Sequence, residues 1–287
     1  MSMRVAYLGP EGTFTHEAVQ ILFPHGEERI PCPSIPETFS AVTSEECDYG
    51  VVPVENAIEG SVNLTLDWLI HQVELSIVGE LVYPIKQHLL VHPKWADVPW
   101  TEITQVISHP QAVAQCRLFL QKELPQAKLV YANSTAEAAE RVSQHPDKVW
   151  AAIGTRTAGS RYGLYIGGSG IEDHANNYTR FIVVGKPLIR EPSKPRLRKT
   201  SLLVTLATDF PGALYQVLAV FAWRKINLSR IESRPTKKGL GSYHFVIDAE
   251  KELDDVLMRG AIDEIKALGC QVRLLGSYPC FYSNSSK

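Results

Sequence analysis

The sequence has few cysteines, and they follow no pattern. Its five cysteines are scattered, and none forms a CxxC pair of the kind found in redox motifs and zinc sites. We therefore expect no disulfide framework, and a reducing cytoplasm is the predicted location. The histidines also lack the spacing of a metal-ligand set, so no metal site is predicted.

Long apolar runs and runs of one charge are missing as well. No apolar run reaches the roughly 18 residues that a membrane span needs. The start, MSMRVAYLGP, enters an apolar strand without the basic and apolar regions of a signal peptide. The net charge is −2 and no basic run stands out, whereas nucleic-acid binding requires a basic face. We expect neither a membrane nor a nucleic acid as partner.

What remains is an ordinary globular composition, long enough for about two domains. The chain has 287 residues, of which 45% are hydrophobic and 21% charged. One composition break stands out at residues 186–199, which are rich in proline and basic residues. We predict a first domain at 1–188, a linker at 189–199 and a second domain at 200–282.

The two domains show different element patterns. In the first, short apolar strands alternate with helical stretches, which predicts an α/β domain with largely parallel sheets. The second has the order β-α-β-β-α-β, with a turn at 237–241, which indicates an α+β ferredoxin-like fold.

Several predicted helices begin with a capping residue. The segments starting at Ser34, Ser108 and Ser134 fit the S/T-x-x-E/Q capping box, and Ser61 is the predicted cap of a helix over 62–72. Such residues can simply satisfy free N–H groups. Alternatively, the strand-to-helix turns face one crevice, where helix N-termini suit an anion.

The stretch ANNYTRFIVVG, residues 175–185, places polar groups at the mouth of an apolar strand. Thr179 and Arg180 come directly before Phe181, where the apolar run begins. Because side chains alternate along a strand, Thr179 and Phe181 share one face and Arg180 points to the other. A reactive role for Thr179 therefore favours a structural role for Arg180, although a carboxylate clamp stays open.

Eight blocks in order carry a resemblance to a known family. They are LGPEGTFTHEAV, VPVENAIEGSV, SHPQAVAQC, NSTAEAA, IGTRTAG, NNYTRF, GALYQVL and ESRP. Over essentially its whole length the chain resembles the monofunctional prephenate dehydratases, which carry a C-terminal ACT regulatory domain. The resemblance implies two α/β lobes similar to a periplasmic-binding-protein fold, with catalysis in the cleft between them. Because only three residues precede Arg4, we expect no chorismate mutase domain and no such activity.

The resemblance also implies roles for particular residues. Aromatisation drives the loss of CO2 and water from prephenate, so no cofactor is expected. The implied catalytic residues are Thr179, Asn56, Ser108 and Gln115. The implied substrate-binding residues are Thr13, Ser134, Thr135 and Arg180. For Ser108, Ser134 and Thr135, helix capping remains the alternative.

The ACT domain implies regulation by L-phenylalanine, with inhibition as the expected sign. The implied effector-binding residues are Gly212, Ala213, Leu214, Glu232, Ser233, Arg234 and Pro235. Because a lone sheet of this kind leaves one face and an edge to cover, we expect a homodimer or homotetramer. Two other functions stay open, which are arogenate dehydratase and a non-catalytic anion or amino-acid sensor.

Overall fold

The computed structural model describes residues 3–188, 190–208, 210–237 and 243–283. Within these ranges the chain forms two α/β lobes and an α+β C-terminal domain, as the sequence predicts. The sheets of the two lobes are mixed rather than largely parallel, because β11 and β6 run antiparallel to their neighbours. Lobe 1 comprises residues 4–84 and 178–185, and lobe 2 comprises residues 88–169. No helix in the described ranges is long and apolar enough to cross a membrane.

Lobe 1 is built from the N-terminal elements and one strand that returns later. Its elements are β1 (Arg4–Leu8), α1 (Phe14–Leu22), β2 (Glu28–Cys32), α2 (Ile35–Thr43), β3 (Tyr49–Asn56), β4 (Gly60–Ser61), α3 (Asn63–His71), β5 (Ser76–Pro84) and β11 (Tyr178–Gly185). β1 pairs in parallel with β2 and β3, and β11 runs antiparallel between β3 and β5. Because apolar cores cover both faces of β11, residues 181–184 are buried.

Lobe 2 has its own five-stranded sheet. Its elements are β6 (His88–Val91), β7 (Gln105–Ser108), α4 (Pro110–Gln115), α5 (Arg117–Glu123), β8 (Lys128–Tyr131), α6 (Thr135–Ser143), β9 (Trp150–Gly154), α7 (Arg156–Arg161) and β10 (Tyr165–Ser169). The sheet order is β10-β6-β9-β7-β8, with β7 parallel to both β8 and β9. The chain crosses between the lobes twice, at 85–87 and 170–177, and these crossings leave a cleft between the lobes.

The C-terminal domain has the predicted β-α-β-β-α-β order. Its elements are β12 (Leu197–Thr205), α8 (Ala213–Trp223), β13 (Leu228–Pro235), β14 (Tyr243–Ala249), α9 (Val256–Ala267) and β15 (Gln271–Tyr282). The strand order β13-β14-β12-β15 is antiparallel throughout, and α8 and α9 pack against one face. Most of the predicted turn at 237–241 lies outside the described residues.

Lobe 1 of the same chain covers the second face of this domain. Leu203, Val246 and Leu275 from the C-terminal sheet share a core with Leu66 and Leu69 of α3. The sequence predicts that this face is open and needs a second subunit. The structure corrects that argument for the face, which lobe 1 covers, while the outer edge of β13 has no strand partner among the described residues.

The C-terminal domain and lobe 1 also share one continuous sheet. The end of β15 pairs in parallel with β5, matching residues 280–282 with 80–82. Gly276 allows this approach, because a Cβ there would lie 2.1 Å from the carbonyl oxygen of Ile77. β12 begins at Leu197, so it includes the last three residues of the predicted linker 189–199.

Two predicted capping boxes form as expected. The Ser34 side chain caps α2 by accepting a hydrogen bond from the Glu37 amide at 3.3 Å. The Ser134 side chain caps α6 in the same way, accepting from the Glu137 amide at 3.0 Å. These short local contacts depend only on residues three positions apart, which is why sequence spacing predicts them.

Two other predicted caps are wrong. Ser108 is the last residue of β7, and the neighbouring His109 caps α4 by accepting from the Gln111 amide through Nδ1 at 3.3 Å. Ser61 lies in the short strand β4, and α3 begins after it without a side-chain cap. In both places a strand continues further than the local signal indicates.

Candidate active site

The cleft between the lobes has a volume of about 280 Å³, and its lining combines apolar side chains with polar side chains that carry no fixed charge. Its polar lining side chains are Thr13, Thr15, Asn56, Gln87, His109, Gln111, Gln115, Asn133, Ser134, Thr135 and Thr179. No Asp, Glu, Lys or Arg belongs to the described lining, and His109 is its one ionisable side chain. Across the described ranges, no group of three or more His, Cys, Asp or Glu is placed to hold a metal ion.

Two helices of nine residues begin at this cleft, α1 and α6. The first N–H groups of a helix have no intrahelical partner and carry partial positive charge. Thr13 and Ser134 each cap one N–H of their helix, which leaves the earlier N–H groups free to face a ligand. The cleft therefore suits an anion although it holds no fixed positive charge.

Asn56 and Thr179 form the hydrogen-bonded centre of the cleft. The Asn56 Oδ1 accepts from the backbone amides of Ile58 and Glu59, both at 3.0 Å. Because Oδ1 is thereby fixed as the acceptor, Nδ2 donates to Thr179 Oγ1 at 2.9 Å and to Asn177 Oδ1 at 2.9 Å. No described residue accepts the Thr179 hydroxyl proton, so this proton is available to a ligand.

Asn177 is a neighbour whose role the sequence analysis does not recognise. It is buried beside Asn56, and its Nδ2 has no hydrogen-bond partner among the described residues. Asn177 belongs to the NNYTRF block, but no spacing in the sequence indicates that its Oδ1 accepts a hydrogen bond from Asn56 Nδ2.

Gln115 lies in the cleft as predicted, together with Gln87, which the sequence analysis missed. The Gln87 Nε2 donates to Gln115 Oε1 at 3.2 Å, and Gln87 Oε1 has no partner in the described part of the chain. Gln87 lies on the first crossing between the lobes, where no motif marks it. An unpaired buried amide oxygen at a cleft wall is available to a donor on a ligand.

The other predicted substrate-binding residues of the helix starts also line the cleft. Thr13, Ser134 and Thr135 all contribute to its wall. The Thr13 hydroxyl already donates to the carbonyl of Pro10 at 2.9 Å while it accepts from the His16 amide at 3.4 Å. The free donors at this wall are therefore the backbone amides rather than the Thr13 hydroxyl.

Ser108 lies outside the cleft, which corrects the prediction that it acts there. It is fully buried, and its Oγ donates to the carbonyl oxygen of Ile153 at 2.7 Å. The physical reason is that β7 extends to Ser108, so its side chain stays inside the lobe. His109, the next residue, supplies the side chain that reaches the cleft.

Arg180 also lies outside the cleft, against the prediction that it binds substrate. As strand alternation requires, its side chain points away from the face of Thr179. It donates to Glu55 at 2.6 Å, Glu80 at 2.6 Å and Asp248 at 2.7 Å. Together with Lys199, which bonds Glu80 at 2.8 Å, these side chains form a buried ionic cluster between lobe 1 and the C-terminal domain. We call this set the ionic cluster.

Asp248 shows how strongly the ionic cluster depends on its cations. Burial raises the pKa of the Asp248 carboxyl, but the guanidinium groups of Arg180 and Arg230 and a hydrogen bond from Ser201 outweigh that effect and lower the pKa. The carboxylate therefore stays charged in the interior because its partners are present.

The predicted effector residues of the α8 turn lie at the start of that helix. Gly212 is the N-cap residue and has φ of +96°, a conformation that favours glycine. A Cβ at this position would meet no atom within 4 Å. The Ala213 amide donates to the Phe210 carbonyl at 3.0 Å, and Leu214 is half-buried against the domain core. Asp209, which precedes Phe210 in the sequence, lies outside the described residues.

Glu232 of the ESRP segment contacts lobe 1 of its own chain. Its carboxylate accepts hydrogen bonds from the Ser61 hydroxyl and from the Arg230 guanidinium, the latter at 2.5 Å. Ser61 follows Asn56 by five residues through the hairpin of β3 and β4. The side chain that the resemblance assigns to the effector is thus already bonded to the segment that carries Asn56.

Arg234 extends the same contact. Its guanidinium donates to Asn63 at 2.7 Å and to Asp67 at 2.6 Å, both on α3. Ser233 and Pro235 alternate to the other face of β13 and are exposed. The ESRP segment therefore has one face on lobe 1 and one face towards solvent.

The fold and the cleft define a two-lobed α/β domain, whose cleft suits an anion, joined to a ferredoxin-like domain. Residues 5–188 match the family model described as prephenate dehydratase, and residues 200–267 match that of the ACT domain. The chain belongs to the prephenate dehydratase family, whose members are carbon–oxygen lyases.

Individual relatives agree with this membership. The prephenate dehydratase of Bacillus subtilis (strain 168) is 49% identical over 284 residues, covering 97% of this chain and 99% of that protein. A crystal structure of prephenate dehydratase from Arthrobacter aurescens in complex with L-Phe is 36% identical, with a TM-score of 0.84, over 96% of this chain and 90% of that one. The structure of GqqA, described as a quorum-quenching acylase, is 26% identical with a TM-score of 0.81, over 96% and 98%.

Proposed function

We propose that this enzyme converts prephenate to phenylpyruvate, CO2 and water in L-phenylalanine biosynthesis. The observation that carries the proposal is the Thr179 hydroxyl, held by Asn56 in an uncharged cleft where α1 and α6 begin. Family membership over the whole chain supports the same reaction.

The reaction balances with the groups that the chain supplies. Prephenate carries a ring carboxylate, a ring hydroxyl and a side chain that ends in a second carboxylate. The bond between the ring and its carboxylate breaks, its electron pair enters the ring, and the hydroxyl leaves with a proton as water. The product ring is aromatic, and no electron is gained or lost overall. Free N–H groups at the starts of α1 and α6 offset the charge of the bound dianion.

In this proposal Thr179 delivers a hydrogen bond or a proton to the departing hydroxyl. Hydroxide is a poor leaving group, so protonation as the C–O bond breaks lowers the barrier. The Asn56 N–H bonded to Oγ1 polarises the threonine O–H and strengthens it as a donor. Because a threonine hydroxyl does not ionise near neutral pH, Thr179 acts as a relay with water behind it rather than as a free acid.

The cleft lining favours prephenate over arogenate as substrate. Arogenate carries an ammonium group where prephenate has a keto oxygen, and a desolvated ammonium needs an anionic partner. No carboxylate belongs to the described lining, and two helix N-termini face the cleft. A non-catalytic sensor is also less consistent with the site, because binding alone does not require the available hydroxyl proton of Thr179.

Acyl transfer, the activity named for GqqA, has less support in this cleft. That chemistry needs a hydroxyl or thiol beside a base. Thr179 is hydrogen-bonded to an amide donor, and Thr13 donates to a backbone carbonyl. No described hydroxyl of the lining is paired with a base.

The test is turnover of prephenate and arogenate by the purified enzyme, followed by the formation of phenylpyruvate and phenylalanine. We expect a much higher kcat/KM for prephenate. Preference for arogenate would contradict the substrate proposal, and lack of turnover of either compound would contradict the enzyme proposal.

We further propose that L-phenylalanine binds the ACT domain and inhibits the enzyme. The positive helix start at Gly212 and Ala213 would receive its carboxylate, for which the Ala213 amide would give up its bond to the Phe210 carbonyl. Leu214 would receive the ring, and the segment Glu232–Pro235 the ammonium. An ammonium that bonds Glu232 competes with Ser61 and Arg230 for the same carboxylate. Binding would thereby loosen a contact to the hairpin that carries Asn56.

Isothermal titration and kinetics test this regulation together. Phenylalanine should bind the wild type and lower its rate or its affinity for prephenate, and prephenate should weaken phenylalanine binding by the same factor. Gly212→Val should weaken phenylalanine binding, because valine disfavours the φ of +96°. Absence of binding to the wild type would refute the proposal, and unchanged binding to the variant would move the site elsewhere.

We propose that the protein is cytoplasmic and that its two domains span residues 1–188 and 200–282. We also propose that it forms a homodimer or homotetramer. The unpaired edge of β13 supports association, because an open strand edge is a ready site for pairing. Sedimentation velocity checks the oligomeric state, and a monomer at micromolar concentration would contradict the proposal.

A further inference from the structure

His109 has a chemical position unlike that of any other residue of the cleft. It is the one ionisable side chain of the described lining, which otherwise consists of amides, hydroxyls and apolar groups. Its imidazole also caps α4, since Nδ1 accepts a hydrogen bond from the Gln111 amide. The ring is therefore oriented by its own helix while it faces the site.

The cap determines which ring nitrogen carries the proton. A neutral imidazole has one donor nitrogen and one acceptor nitrogen. Because Nδ1 accepts from the Gln111 amide, it holds a lone pair, and the proton is on Nε2. No described residue accepts a hydrogen bond from Nε2, so this N–H is available to a bound molecule.

We propose that the His109 Nε2–H binds the side-chain carboxylate of prephenate, the one that remains in phenylpyruvate. The inference rests on the proposed dehydratase reaction and adds a substrate-binding residue to it. A neutral N–H donor to a carboxylate positions the substrate without supplying a proton to the reaction.

The chemistry distinguishes the two carboxylates of the substrate. The ring carboxylate must give up its charge as CO2 forms, and a strong donor on it would stabilise the ground state and raise the barrier. The side-chain carboxylate keeps its charge throughout, so a donor there holds substrate and transition state equally. His109 is expected to affect KM and to leave kcat nearly unchanged.

Two substitutions separate the functions of the two ring nitrogens. In His109→Asn the amide oxygen lies near the position of Nδ1, so the cap remains and the Nε2 donor is lost. In His109→Gln the amide nitrogen reaches as far from the backbone as Nε2, so the donor is restored and the cap is lost. Ser34→Ala, which removes the α2 cap away from the cleft, shows the effect of cap loss alone.

We expect His109→Asn to keep its Tm and to raise KM by roughly 10-fold or more, the usual effect of losing a hydrogen bond to a charged group. His109→Gln should lower Tm, as Ser34→Ala does, and recover most of the affinity. The inhibition constant of phenylpyruvate should rise in His109→Asn by the same factor as KM, because the product retains the side-chain carboxylate.

Each other outcome overturns the inference. An unchanged KM in folded, active His109→Asn removes His109 from the substrate. A collapse of kcat makes it a proton-transfer group instead. A raised KM with unchanged phenylpyruvate inhibition assigns it to the ring carboxylate. If the wild type does not consume prephenate, the proposed function is wrong. This outcome is distinguishable from failure of the His109 proposal, because it is measured on the wild type and the His109 proposal is tested on the variants.

Discussion

At the scale of single residues, Thr179 and Arg180 are adjacent, but their side chains point to opposite faces of β11. Thr179 faces the cleft and accepts from Asn56, whereas Arg180 faces the ionic cluster. A local motif therefore combines the hydroxyl that we propose to be reactive with the charge that anchors its strand. The two residues should respond differently to substitution.

Thr179→Val should keep the fold and lose the chemistry. Valine has nearly the shape of threonine but no hydroxyl, and loss of a positioned proton donor lowers the rate by roughly 10²–10⁴-fold. Steady-state kinetics should show a fall in kcat with little change in KM, and Thr179→Ser should recover part of the rate. A folded Thr179→Val enzyme with normal kcat would remove Thr179 from the mechanism.

Ser108→Ala and Gln115→Ala should differ, although the sequence assigns both to catalysis. Ser108→Ala leaves the Ile153 carbonyl without its donor and should cost about 1 kcal/mol of stability, with kcat/KM nearly unchanged. Gln115→Ala removes a cleft side chain and should lower kcat/KM instead. Thermal unfolding and kinetics on both variants check this, and a strong kinetic effect at Ser108 alone would reverse the assignment.

At the scale of elements, Gly276 determines how closely β15 approaches β5. Gly276→Ala would place a Cβ 2.1 Å from the Ile77 carbonyl oxygen, so the strands must separate. We expect a loss of about 1–3 kcal/mol in the free energy of unfolding, as for other overpacked sites. The control is Gly260→Ala within α9, where the nearest atoms are 3.6 Å away and alanine should stabilise the helix. Equal effects in urea unfolding would contradict this account.

Local patterns predict elements well and pairings between distant elements poorly. The helix start at Ser134 follows from a cap and a glutamate three residues later. The pairing at the end of β15 does not follow from such a signal. Residues 280–282 pair with β5, 200 positions earlier in the chain. No local signal reports such a pairing.

The same limit applies to the candidate site. Family blocks identify Thr179, Asn56 and Gln115, and the structure brings all three to the cleft. They also suggest Ser108 and Arg180, whose side chains point elsewhere for reasons of strand length and alternation. A motif conveys which residues occur together, but the direction of each side chain depends on the elements around it.

At the scale of the whole molecule, the ionic cluster connects lobe 1 to the C-terminal domain. Arg180→Met would leave Glu80 and Asp248 buried without their guanidinium partner, which typically costs about 3–5 kcal/mol. Lys94→Met, which removes an exposed ion pair with Asp147, should cost less than about 1 kcal/mol. Urea unfolding at neutral pH compares the two, and similar losses would show that the cluster contributes little.

The stability of the cluster should also depend on pH. The pKa of Asp248 is lowered in the folded protein, so its contribution is fully present above the ordinary carboxyl pKa of about 4 and is lost as the pH falls through the folded value. In Arg180→Met the main charge opposing the burial effect is gone, and protonation of Asp248 becomes easier. The stability deficit of the variant should therefore shrink as the pH falls below about 4. A constant deficit would exclude Asp248 as the cause.

The pairing of β15 with β5 has a consequence for cutting the chain. A protease that cleaves between Lys186 and Arg196 cuts the backbone between lobe 1 and the C-terminal domain. The two fragments would still share a continuous sheet, a common apolar core and the ionic cluster. The nicked enzyme should therefore elute as one particle in gel filtration and separate into two pieces only in denaturant, as a complex of two fragments that complement each other.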